Sequence, residues 1–164
     1  EAEVGGEKRH YADARDDVNA IREVRKAAGD GMTLMIDYNQ SLTPVDAIER
    51  ARRLDDEGLT WIEEPTLADD FAGHARVAQA IRTPVQAGEN WWGPRDMRKA
   101  IAAGACDYVM PDVMKIGGVT GWLRASQQRR RGLARHGGSA CPRRGAWRSR
   151  RWEFHRRALV AAVR

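Results

Sequence analysis

Asp37, Glu63, Glu89 and Asp112 each follow a short apolar run, at intervals of 26, 26 and 23 residues. Four acids arriving so evenly are expected to converge on one divalent cation. Hard cations such as Mg²⁺ take oxygen ligands in octahedral geometry and keep positions for water and substrate. Asp37, Glu63 and Glu89 are assigned as the three ligands. The bland alternative for any single acid is a helix cap or a solvated loop residue; the regular series argues against it for the set. No Cys/His cluster offers a zinc site. The only cysteines, Cys106 and Cys141, are far apart and outside any CxxC spacing, so both read as free thiols of a reducing, cytoplasmic setting.

The elements that would position these acids alternate along the chain. Val18, Ile21, Val24 and Ala28 share one face of a helix that Gly29 stops. TLMIDYN (33–39) reads as a buried strand, and Thr43–Pro44 as a cap followed by proline in a first helical turn. Ile48, Ala51 and Leu54 carry that helix to Gly58. Strands are expected again at 59–65, 84–90 and 108–113, with helices at Phe71–Ile81 and 94–104 and a further one opening at Gly117–Gly118. Strand–helix alternation argues an α/β fold with a parallel sheet and right-handed crossovers. A repeat of about one β/α unit, with acids at the strand ends, points to part of a TIM-type barrel, whose sites lie at the C-terminal ends of the strands. An open doubly wound sheet explains the alternation but not the acids. A full barrel needs ~250 residues; this chain has 164.

The net charge of +5 conceals two unlike pieces. Residues 127–164 hold twelve Arg, no Lys and one acid, Glu153, hence +11, which leaves −6 for residues 1–126. The chain therefore divides into a partial barrel over 1–126 and an Arg-rich tail over 127–164. A seventh barrel strand is due near residue 133 and none is legible. The tail's Arg, Gly, Pro, Trp and Ser resemble a GC-rich coding region read out of frame, and the tail is expected to be poorly ordered. No run approaches the ~18 apolar residues of a membrane span, and the charged start EAEVGGEKRH does not read as a signal peptide.

MIDYNQSL, TWIEEPTL, PVQAGENWWGP and MPDVMKIGGVTGW resemble the mandelate racemase/muconate lactonizing enzyme family of the enolase superfamily, over residues 8 to about 126. The resemblance implies a (β/α)₇β barrel with a separate α+β capping domain, and an oligomeric intact protein. It places the three Mg²⁺ ligands on Asp37, Glu63 and Glu89 and a substrate contact on Asn39. Lys115, in MKIGG, matches a supporting lysine at the substrate. The implied chemistry is abstraction of the proton beside a carboxylate, with the metal stabilising the enediolate. Lys8 matches the second lysine of a KxK motif that supplies one base, although Gly6 stands where the first lysine would be. Asp112 matches the Asp of a His–Asp dyad that supplies the opposite base, and favours the racemase subgroup over the cycloisomerases. The dyad histidine falls on Ser139; His136 lies nearby, but SACPRR does not match its surroundings. The acid of the final strand would fall near Leu159 and is missing.

These features imply a racemase of a 2-hydroxy acid, or a dehydratase of sugar acids, acting on a small carboxylate. An inactive fragment of such an enzyme is the sober rival. A nucleic-acid binder acting through the Arg-rich tail is the third reading; the tail carries charge for phosphate contacts but no recognised binding motif. His74 reads as a core histidine beside Phe71 and Ala78. Trp91 and Trp92 read equally as pocket walls or loop packing.

Overall fold

The computed structural model describes residues 14–135 and 158–162. Helix α1 (Ala14–Ala28) leads into strand β1 (Thr33–Asp37), followed by α2 (Pro44–Leu54), β2 (Ile62–Glu63), α3 (Phe71–Ala80), β3 (Val85–Ala87), α4 (Gly93–Ala103), β4 (Tyr108–Val109) and α5 (Gly118–Arg135); β5 (Ala158–Ala162) comes last. The helices begin and end where the sequence signals them. The Thr43 hydroxyl accepts from the Asp46 N–H, with Pro44 in the first turn of α2, and Gly104 closes α4 in the left-handed conformation. Asp70 caps α3 through the Gly73 N–H.

All strand pairs are parallel, in the order β4-β3-β2-β1-β5. The four expected strands are therefore adjacent and parallel as the repeat requires, with helices as crossovers. Leu34, Ile36, Ile62 and Val85 meet the helix residues Leu54 and Val77 in a fully buried core. Burial of each such side chain contributes roughly 1.5–3 kcal/mol before entropy is counted, and this layer holds the strand ends at one level.

Two expectations are corrected. The strands are shorter than the apolar runs, because the backbone leaves extended geometry as it reaches the acids: φ is positive at Asn39, Gln40, Glu64 and Gly88. Single ladder bonds still continue past the regular strands, from Tyr38 N–H to Glu63 O and from Glu64 N–H to Gln86 O. α5 runs across residue 126 to Arg135, and 158–162, within the tail expected to be poorly ordered, is a strand paired along its length with β1. Arg, Leu and Ala are good helix formers, so a change in composition at 127 does not oblige the helix to stop. Cys106 is buried and belongs to no disulfide among the described residues. Among the described residues no helix is long and apolar enough to cross a membrane.

Candidate metal centre and active site

Asp37 and Glu63 close β1 and β2 and are register partners, so the sheet sets them side by side. Glu89 lies two residues beyond β3, and Gly88 makes that approach possible. Its φ is +140°, and a Cβ there would stand 3.0 Å from the main-chain N and C of Met110. Only glycine allows the chain to pass so close to the segment after β4 and still turn Glu89 toward its neighbours.

The loops carrying these residues are fastened to one another. The Gln40 N–H donates to Glu64 O, Leu42 N–H to Pro65 O, and the Gln40 side-chain carbonyl accepts from Ala68 N–H. Asn39, Gln40 and Glu64 are the non-glycine residues at positive φ among those described. Such conformations cost ~1–3 kcal/mol each and persist where the surroundings over-determine them. All three lie in the loops after β1 and β2, so the strain is concentrated at the candidate site.

Crowded charge is the site's main electrostatic feature. Glu63 is buried, and burial pushes its carboxyl up to about 7; the Trp61 indole N–H, 3.3 Å from Oε2, opposes this, while Asp37, Glu89 and Glu64 add to it. Burial likewise raises Glu64, with Asn90 opposing and Glu89 and Asp37 adding. Glu64 Oε1 is a buried oxygen with no hydrogen-bond partner. A hard divalent cation is the species that suits an all-oxygen donor set. Among the described residues the carboxylates are not gathered into a group of three that could hold a metal ion. Their oxygens instead engage internal donors: Asp37 Oδ1 accepts from Asn39 N–H at 2.7 Å, and Glu89 Oε1 from the Asn90 amide at 3.1 Å.

The remaining candidates differ in where they stand relative to this group. Lys115 Nζ donates to Asn90 Oδ1 at 2.6 Å, which brings the expected substrate lysine to the edge of the carboxylate set. Asp112 Oδ1 accepts from the main-chain N–H groups of Met114 and Lys115, each at 2.8 Å. It shapes the turn that presents Lys115, and its charge is not among the influences on Glu63. Asn39 is half-buried beside Asp37. Lys8 and His136 lie outside the described residues. Trp91 is buried and its indole N–H donates to Ala68 O, so it packs the loop, whereas Trp92 is exposed. His74 is buried, with Nδ1 2.9 Å from the Thr66 hydroxyl, as a core histidine should be.

Glu64 and Asn90 escaped the sequence reading. Their signal was nonetheless present: a second acid in WIEEP, at the end of a buried run, and an amide directly after Glu89.

Residues 2–133 match the family model described as enolase C-terminal domain-like. The chain is 35% identical to L-talarate/galactarate dehydratase of Salmonella typhimurium over 127 residues, 77% of this chain and 31% of that protein. It is 33% identical to L-Ala-D/L-Glu epimerase of Bacillus subtilis over 111 residues, 66% of this chain and 30% of the epimerase. Among solved structures, an enolase from Bradyrhizobium complexed with magnesium and mandelic acid superposes with a TM-score of 0.72 at 46% identity, over 76% of this chain and 35% of that one. L-talarate dehydratase from Polaromonas sp. JS666, complexed with Mg and L-glucarate, gives the same TM-score at 33% identity, over 76% and 35%. The chain thus spans about a third of the length of the relatives it matches.

Proposed function

Because the chain belongs to the enolase C-terminal domain-like family, we propose that it carries the metal-binding half of a site that removes the proton α to a carboxylate. The observation that carries this reading is the set Asp37, Glu63 and Glu89 at one end of a parallel sheet, where Glu63 is buried and the charges of Asp37 and Glu89 add to the upward push on its carboxyl. These residues would hold Mg²⁺, the ion present with relatives from Bradyrhizobium and Polaromonas. When bound, the ion supplies fixed positive charge against the negative charge that develops on the substrate carboxylate.

The chain's own residues supply position and charge around that centre. Lys115, held by Asn90 and paired with no carboxylate among the described residues, keeps N–H donors to offer a polar substrate group. Asn39, on the strained turn after Asp37, presents an amide at the same end of the sheet. Lys8 is proposed as the base on one substrate face. Asp112 is proposed as the partner of the opposite base, a role compatible with its turn because Oδ2 is not used in it.

The reaction is proposed as racemisation of a 2-hydroxy acid, in keeping with the relative complexed with mandelic acid. The dehydratase reading has its own support in the talarate/galactarate and talarate enzymes, and both require the same first proton abstraction. Because the position matched to the dyad histidine holds Ser139, we propose impaired turnover: loss of one positioned acid–base group costs ~10²–10⁴-fold. The test incubates mandelate, and separately L-talarate, with the protein and Mg²⁺ in D₂O. Slow deuterium incorporation at the α-carbon without racemisation is expected; racemisation at the rate of an intact enzyme would overturn the one-sided scheme. Calorimetric Mg²⁺ titration of wild type and Glu63→Gln tests the ligand set, and equal affinity in the two would remove Glu63 from it.

A further inference from the structure

The Asn90 side chain uses all of its hydrogen-bonding groups in one way. Its Nδ2 donates to Glu64 Oε2 at 2.6 Å and to Glu89 Oε1 at 3.1 Å, while its Oδ1 accepts from Lys115 Nζ at 2.6 Å. An amide nitrogen has two hydrogens and here serves two acids; a flipped amide would set its oxygen against both carboxylates and its nitrogen against an ammonium. The neighbours therefore fix its orientation. An aspartate in this place would add a further negative charge to the set.

Glu64 is the member of this group that no ligand assignment uses. It is 1% exposed, and its main chain is tied on both sides, from Glu64 N–H to Gln86 O and from Gln40 N–H to Glu64 O. Its φ of 36° turns the side chain away from the strand direction that Glu63 follows. The buried, strained Glu64 carboxylate accepts from the Asn90 amide and serves that contact.

We propose that Glu64 is a positioning residue for the metal ligand Glu89, acting through the Asn90 amide. This rests on the reading of Asp37, Glu63 and Glu89 as ligands. Glu64 anchors Nδ2, Lys115 anchors Oδ1, and the second Nδ2 hydrogen then holds Glu89 in one rotamer. Residues that orient metal ligands typically govern affinity by ~10–100-fold.

The test is calorimetric titration of Mg²⁺ alone into wild type, Glu64→Gln, Glu64→Ala, Asn90→Ala and the Glu64→Ala/Asn90→Ala double variant, with Asp37→Asn as the control for the ligand set. Glu64→Gln retains a side-chain oxygen for Asn90 and is expected within ~3-fold of wild type. Glu64→Ala and Asn90→Ala should each weaken binding ~10–100-fold, and the double variant no more than the worse single, since both break one relay. Thermal melts establish that each variant is folded. If Glu64→Ala is not, the contrast between Glu64→Gln and Asn90→Ala decides. Wild-type affinity in Asn90→Ala, or single losses that multiply in the double variant, would overturn the proposal while the metal site stands. Wild type that binds no Mg²⁺, or that binds it no better than Asp37→Asn, would overturn the ligand reading and this inference with it.

Discussion

Glu63 is held against its own charge, and that has a measurable sign. Its carboxyl rises from an ordinary 4.5 to about 7 on folding. Between those values the folded state binds a proton that the unfolded chain has released, so the stability of the metal-free protein falls as pH climbs from about 4.5 through about 7. Asp17 and Glu64, also raised by burial, act in the same direction. Thermal melts in EDTA between pH 5 and 8 should show this decline, and Glu63→Gln should flatten it. Mg²⁺ should raise the midpoint at pH 8 and do little at pH 5, because protons and metal compete for the same oxygens. Gly88→Ala adds a second test: its Cβ would crowd the Met110 backbone at a φ of +140°. A loss of ~1–3 kcal/mol is expected in urea unfolding, with weaker Mg²⁺ binding as Glu89 is displaced. Unchanged stability would show that the segment after β4 yields.

Element by element, the helices were legible because each carries its own punctuation: Thr43–Pro44 before α2, Asp70 before α3, Gly104 after α4. The strands were legible as apolar runs, but their ends were not. Whether Asn39 or Glu64 leaves extended geometry depends on contacts with the neighbouring loop, such as Gln40 N–H to Glu64 O, and no local spacing encodes these. Asp37, Glu63 and Glu89 stand out in the sequence because a one-dimensional period marks them; Asn90 does not, since its contacts arise only when α4's loop meets Glu64 and Lys115. The same reason hid the tie between α1, β1 and α2. Asp17 is fully buried, accepting from the Tyr38 hydroxyl at 2.8 Å and pairing with Arg50 at 3.1 Å. Tyr38→Phe, which removes one donor, should cost ~1–3 kcal/mol, and Arg50→Ala, which strips a cation from a buried acid, ~3–5 kcal/mol. Urea denaturation ranks the two, and a larger loss in Tyr38→Phe would mean that Asp17 is held mainly by the phenol.

At the scale of the whole molecule, β4 stands at one end of the strand order and β5 at the other among the described residues. β1 is apolar on its interior positions, with Leu34, Met35 and Ile36 all buried, and β5 pairs with each of its five residues from Thr33 to Asp37. A strand of this kind left unpaired is a template for another chain. The sequence alone suggested an Arg-rich tail with fast exchange throughout; the parallel pairing of 158–162 predicts the opposite for that segment. Amide exchange there should be slowed to the extent seen in β1, since the two share one ladder. Deleting residues 158–164 should uncover the β1 edge and drive concentration-dependent association, read by sedimentation velocity, while the Mg²⁺ ligands on β1 and β2 stay in the chain. Fast exchange over 158–162 together with a monomeric truncated protein would mean that β1 has no need of this partner, and the edge would then have to be protected by another segment.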